Sequence, residues 1–289
     1  MKKRYLIDRS SRSLIFVLAL ASFAVLVAIA VFTLKEALPA LQKIGLLDFL
    51  LGREWRPTNG QFGILPMILG TVMVTVGALV FAVPLGVGCA ILLAEVAPQR
   101  VRLILRPAVE LLVGIPSVVY GLVGLVLIVP LVREIGGPGL SLAAGIIVLT
   151  AMILPTIISI SEDSIRAVPK SHREGALALG ATDWQTMWRV VLPAARSGIA
   201  ASIVLAIGRA VGEAMALVMV IGMATAIPMS PLDPARPLAP SIALEINYAT
   251  GLHRSTLFAI GVVLFVLIII INSIAMIVMR RGAHAQNVR

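Results

Sequence analysis

Ser171 to Pro193, SHREGALALGATDWQTMWRVVLP, is a polar stretch between two long apolar runs, and it carries its own helix punctuation. Ser171 and Glu174 stand in S-x-x-E spacing, a capping box in which the hydroxyl takes the third amide and the carboxylate reaches back to the first. Gly180 is placed to end that helix in a left-handed turn. Thr182 and Gln185 repeat the box, and Pro193 is expected to stop the second helix. The stretch therefore predicts a compact helix–turn–helix, with Ala176, Leu177 and Leu179 giving its first helix an apolar face. Such a body is either loop architecture or an element offered to a soluble partner. Two successive boxes and three aligned apolar residues favour the partner.

Composition sets the class around it. The chain has 289 residues, 59% of them hydrophobic and 13% charged, with a mean hydropathy of +1.03. No soluble domain of this size hides that much apolar surface, so a polytopic protein in a lipid bilayer is expected. A net charge of +10 would suit nucleic acid, but basic residues flanking apolar spans are what orientation in a bilayer requires, and no nucleic-acid partner is expected. Cys89 is the only cysteine and sits in an apolar run, while His172, His253 and His284 are far apart. Neither a disulfide framework, a metal site nor a cofactor follows from them. The phosphate-cradling G-x-x-x-x-G-K-[ST] loop is absent, as is any Ser/His/Asp or paired-carboxylate arrangement, so neither ATP hydrolysis nor other catalysis is expected of this chain.

Taken in order, Lys2, Lys3, Arg4, Arg9 and Arg12 precede an uncharged run from Ser13 to Leu34. A cleaved signal would have a shorter apolar region of about 7–15 residues, so a retained first span is favoured. Residues 35–62 are polar and read as external. Gly63–Ala94, holding Pro66 and Pro84, is the second span, and VAPQRVRLILRP (96–107) a short basic loop. Leu111–Val132 is the third span, Gly139–Ser161 the fourth, Ser197–Ile227 the fifth and Ser255–Met279 the sixth. The Pro-rich segment 228–254 between the last two is external. With the N-terminus inside, cytoplasmic segments carry sixteen Lys and Arg and external ones seven, Arg209 being intramembrane. The excess of inner basic residues favours an all-α protein of six transmembrane helices with both ends cytoplasmic.

The order Glu174-Gly175-Ala176, Gly180, then Val190-x-Leu192-Pro193 resembles the EAA loop of ABC-importer permeases, E-A-A-x3-G-x9-I-x-L-P. Its spacing is fully kept, with Gly175 for the middle alanine and Val190 for the isoleucine. GIPSVVYGLVGL (114–125), ILPTIISISEDSIRAVPKS (153–171), REGALALGATDWQTMWRVVLPAA (173–195) and GRAVGEAMALVMVIG (208–222) further resemble the permeases of phosphate-specific (Pst) importers, the C-type subunit more than the A-type. The resemblance covers about residues 60–280. It implies a type I ABC importer permease fold over 63–280 with a coupling loop at 162–195, preceded by a cytoplasmic N-terminus, first helix and external segment (1–62) and followed by a cytoplasmic tail (281–289). It implies a bacterial inner-membrane protein that pairs with a second homologous permease, a dimeric ABC ATPase and an extracytoplasmic phosphate-binding protein. Glu174, Gly175, Ala176, Leu177, Gly180, Leu192 and Pro193 would then make the coupling element. Another oxyanion such as molybdate or sulfate is the nearest alternative cargo, and an ion-coupled carrier or membrane enzyme the more distant reading.

Arg209 and Glu213 stand four apart within an apolar run, expected on one face of one helix. Intramembrane charges are costly and face a cavity or a partner. One reading is a neutralising pair that secures packing, with Gly208 and Gly212 in G-x-x-x-G spacing. The other is a step on the substrate path, the guanidinium fork receiving phosphate oxygens and Glu213 accepting the proton that HPO4 has and sulfate lacks. Thr71 and Thr75 share a face of span two, and Ser117 and Tyr120 interrupt span three. These are weaker path candidates, because membrane hydroxyls commonly bond helix carbonyls. Asn272 reads as interhelical glue, and Glu95 and Glu110 as boundary residues.

Overall fold

The computed structural model describes residues 2–284, with side chains over 14–277. Helix α1 (Lys2–Ile44) is unbroken and about 65 Å long at 1.5 Å per residue, well beyond the thickness of a bilayer. Short α2 (Leu46–Leu51) follows, then a hairpin of β1 (Trp55–Arg56) and β2 (Gln61–Phe62) that sets Trp55 opposite Phe62. Helix α3 (Leu65–Ile91) takes Pro66 in its first turn, where a missing N–H costs nothing, and ends in a π turn, Leu92–Val96. Next come α4 (Gln99–Val113), α5 (Ser117–Val123), a π turn at Gly124–Ile128 and α6 (Val129–Ile135). Helix α7 (Leu142–Arg166) begins at Ser141, whose hydroxyl accepts the Ala144 amide at 3.2 Å. The polar stretch forms α8 (Lys170–Ala178) and α9 (Asp183–Thr186), joined by a π turn (Met187–Val191) to α10 (Leu192–Val211). Helices α11 (Met215–Val220), α12 (Leu238–Glu245) and α13 (Gly251–His284) complete the chain.

Among the described residues, six helical segments are long and apolar enough to cross a membrane: Leu14–Ile44, Leu65–Val96, Ser117–Ile135, Leu142–Arg166, Asp183–Val211 and Gly251–Ile277. The expected six-helix architecture is therefore present, and the protein is multi-pass. Its centre is α3 against α7 against α10, where Val74, Ala78 and Ala82 meet Leu149, Met152, Ile153 and Ile157, and Ala206 and Ala210 close the third side. Alanines recur at these contacts because small side chains let helices approach without any hydrophobic force from lipid. Gly121 does the same for α5, where a Cβ would come within 2.8 Å of the Ala216 Cα on α11. A second core gathers Ala37, Phe49, Trp55, Phe62, Leu238 and Leu257, fastening α1, the hairpin and α12 to α13.

Several boundaries differ from expectation. The basic segment 96–107 is helical: α4 places Arg100, Arg102 and Arg106 among Val101, Leu105 and Leu112 on an amphipathic helix, and span three starts only after the Gly114–Pro116 break. Ser171 caps nothing, since the helix begins at Lys170 behind Pro169, whose fixed φ of −56° starts it two residues early. Pro193 opens α10 rather than stopping a helix. It sits in the first turn after the π turn, which makes room for a residue lacking an N–H. Span five consequently begins at Asp183 and ends at Val211, before Glu213. Residues 285–289 of the tail lie outside the described residues.

Candidate functional site

The hairpin of α8 and α9 is built for rigidity. Gly180 adopts φ +84°, and the Ala181 amide reaches back to the Ala176 carbonyl at 3.1 Å while Gly180 donates to Leu177, a Schellman closure. Thr182 and Gln185 make the expected reciprocal box, at 3.0 and 3.3 Å. Behind it, Ile165, Val168, Val191 and Ala195 form a small core with Ala90. Arg173 bonds Glu95 at 2.6 Å and the Ile165 carbonyl at 3.1 Å, tying α8 to the ends of α3 and α7. With its back held, the hairpin turns apolar side chains outward: Leu177 is 45% exposed, Leu179 91% and Trp184 64%. Trp184 and Trp188 stack edge to face at 5.6 Å. Glu174 and Gly175 are exposed, and no atom lies within 4 Å of where a Gly175 Cβ would stand. Leu192 and Pro193 belong to the root of α10 rather than to this outward surface.

Among the described residues, Arg209 is a cation deep in the helical bundle. Arg209, half-buried on α10, donates to Thr156 Oγ1 on α7 at 3.2 Å. Thr156 lies fourteen residues into α7, about 21 Å along it. Glu213 is not its partner. Helix α10 ends at Val211, and Glu213 Oε1 accepts the Ala216 amide at 3.0 Å, closing the start of α11. The expected i,i+4 pair thus fails because Gly212 breaks the helix between the two charges. Nor do Gly208 and Gly212 make a close helix contact, neither having a neighbouring helix within 4 Å of its Cβ position. Tyr120 stands within electrostatic reach of Arg209, and its hydroxyl donates to the Leu112 carbonyl at 2.9 Å, bridging the α4–α5 break beside Ser117. Thr71 and Thr75 are buried. Thr71 Oγ1 donates to Met67 and accepts the Leu238 amide at 2.9 Å, whereas Thr75 Oγ1 has no partner. Asn272 Oδ1 likewise has none, so it is not the interhelical hydrogen bond expected of it. That role falls to Ser161 and Ser202, hydrogen-bonded at 2.9 Å between α7 and α10.

At the opposite end from the hairpin, Glu245 gathers a buried polar centre. It accepts from Arg236 and from Trp55 Nε1 at 3.2 Å, and lies 2.7 Å from His253 Nε2. Burial, and then the Glu245 charge, pushes the neighbouring Tyr248 phenol upward. Sequence reading missed this centre, because Trp55 and Glu245 are 190 residues apart. Near the hairpin, Arg106 bonds Glu110 and Asp163, at 3.1 and 2.9 Å. The Glu110 hydrogen bond raises its pKa, with Glu162 and Asp163 adding to the rise and desolvation opposing it. Among the described residues, no group of three or more His, Cys, Asp or Glu could hold a metal.

A profile of the family described as binding-protein-dependent transport system inner membrane component matches residues 82–283. The chain belongs to this family. The matched region contains the hairpin, Arg209 and helices α4 to α12, with the end of α3. Among curated relatives, the "Probable ABC transporter permease protein YqgH" of Bacillus subtilis is 42% identical over 92% of this chain and 89% of its own length. The phosphate transport system permease protein PstC of Mesorhizobium japonicum is 39% identical over 84% and 80%, and that of Pasteurella multocida 36% over 81% and 80%. Among solved structures, a chain of the bacterial alginate ABC transporter, in complex with alginate-bound periplasmic protein, superposes with a TM-score of 0.68 at 18% identity. The match covers 96% of this chain and 97% of that one. A chain of the inward-facing MetNI methionine ABC transporter gives 0.52 at 22% identity over 77% and 94%. These likenesses show the type I importer permease fold.

Proposed function

We propose that the chain is a transmembrane permease subunit of an ATP-driven importer of inorganic phosphate. The observation that carries this reading is the identity of 36–39% to PstC proteins over four-fifths or more of both chains. Arg209, set within the bundle, supports it, since a guanidinium fork fits a phosphate oxygen pair. Residues 63–280 form the working body, with 1–62 an added first helix and external clasp and 281–289 a tail. The excess of basic residues on the hairpin side supports cytoplasmic termini and a cytoplasmic hairpin in a bacterial inner membrane.

The hairpin, with Glu174, Gly175, Leu177 and Gly180 outward, Ala176 half-buried among them and Leu192 and Pro193 at its root, docks a dimeric ABC ATPase. A second homologous permease completes the passage, and an extracytoplasmic phosphate-binding protein delivers cargo from the other side. Geometry supplies the transmission. Asp183–Val211 is one 29-residue rod, so Arg209 rides about 39 Å from the hairpin on the same body. Tilting the hairpin end swings the guanidinium within the path, away from its hydrogen bond with Thr156. Reconstitution with the three partners tests the reading. Uptake of labelled phosphate that needs ATP and resists excess sulfate supports it, and equal competition by sulfate or molybdate moves the cargo to another oxyanion. Transport without the ATPase would leave an ion-coupled carrier instead.

A further inference from the structure

A cavity of about 360 Å³ opens beside the hairpin root, lined by Ala94, Arg102, Arg166, Val168, Lys170, Arg173 and Glu174. Four of these seven carry positive charge. Two are balanced behind the wall, Arg173 by Glu95 at 2.6 Å and Arg166 by Glu162 at 3.1 Å. Arg102 donates from Nε and Nη2 to the Leu93 and Ala94 carbonyls in the π turn ending α3, and among the described residues no carboxylate pairs with it. Lys170 is exposed, and among the described residues it has no carboxylate partner in an ion pair either. Arg166 Nη2 is buried with no hydrogen-bond partner, a state that costs stability unless something accepts its proton. Glu174, the one acid in the lining, stands exposed at the rim.

We infer that this cavity binds a phosphate-bearing anion, independently of which solute the transporter carries. Tetrahedral oxygens match the demand: Lys170 Nζ can donate, and the charges of Arg102 and Arg166 in the lining attract an anion, with charge-assisted bonds favouring an ionised acceptor. The neighbouring α4 exposes Leu103, Ile104 and Leu111 among its arginines, the pattern of a helix lying at the headgroup level. The anion therefore comes either from an acidic lipid headgroup or from free phosphate. Because Lys170 and Glu174 belong to α8, an occupied cavity welds the hairpin to α4 and α7.

The test reads the site locally. Acetylation of the Lys170 amine is followed by mass spectrometry on the full-length chain in nanodiscs, with and without the co-expressed ATPase. Phosphatidylglycerol should slow it about fivefold relative to phosphatidylcholine if the source is lipid. Inorganic phosphate should do so relative to chloride at equal ionic strength if the source is free anion; fivefold is what one basic residue gains from a bound phosphate. Arg102→Gln should abolish the protection. Ala94→Glu, which fills the cavity with an acid while sparing both arginine contacts, should do so as well, should the first variant fold poorly. Equal labelling under all conditions would overturn the inference. So would protection that survives both variants, or protection conferred only by the ATPase, which would mark the cavity as a protein contact.

Discussion

Leu179→Gln isolates the docking surface from the fold. Leu179 is 91% exposed on this chain, so its removal forfeits almost no internal packing, and surface changes of this kind shift stability by less than about 0.5 kcal/mol. A leucine buried on docking contributes about 1.5–3 kcal/mol, and a glutamine left in the same apolar contact recovers little of it. Taking about 2 kcal/mol, ATPase attachment should weaken about thirtyfold. Fluorescence titration of the ATPase onto nanodiscs carrying this chain measures it, with the thermal melting midpoint as the control for folding. An affinity unchanged within about twofold, at an unaltered midpoint, would show that the hairpin tip is not where the motor binds.

Three further outcomes follow from other sites. Arg209→Ala should abolish phosphate uptake while the complex still co-purifies, and normal uptake in that variant removes the path role. Glu245→Ala leaves Arg236 buried without its carboxylate and should cost about 3–5 kcal/mol, read as a lowered melting midpoint, whereas an unchanged midpoint would mean that the centre is not structural. Gly175→Ala should stabilise α8 by about 0.5–1 kcal/mol, because nothing lies within 4 Å of the added methyl. Slower amide exchange in α8 checks it.

Much of this was legible in residue order. Hydropathy marks the spans because lipid forces each backbone group to be satisfied within its own helix, and the Thr182–Gln185 box and the Gly180 turn are local devices that need no tertiary context. Failures came where one local signal met another. Pro169 outcompeted the Ser171 box, and Pro193 was tolerated because a π turn precedes it, a feature with no residue signature. Gly212 broke a run that reads as continuous helix. The arginines of α4 masked an amphipathic period that Val101, Leu105 and Leu112 do display. Trp184 and Trp188, four apart, could have been noticed as an aromatic pair on the hairpin. The Glu245 centre could not, since it joins segments from opposite ends of the chain.

The wide turn at Met187–Val191 sets the angular phase between hairpin and rod. One residue of an α-helix turns the chain by about 100°, so deleting a single residue there would restore ordinary winding and point Leu179 and Trp184 around the circumference, toward lipid or the bundle instead of outward. A chain shortened in this way would keep every side chain proposed for docking, still insert, and be deaf to its motor.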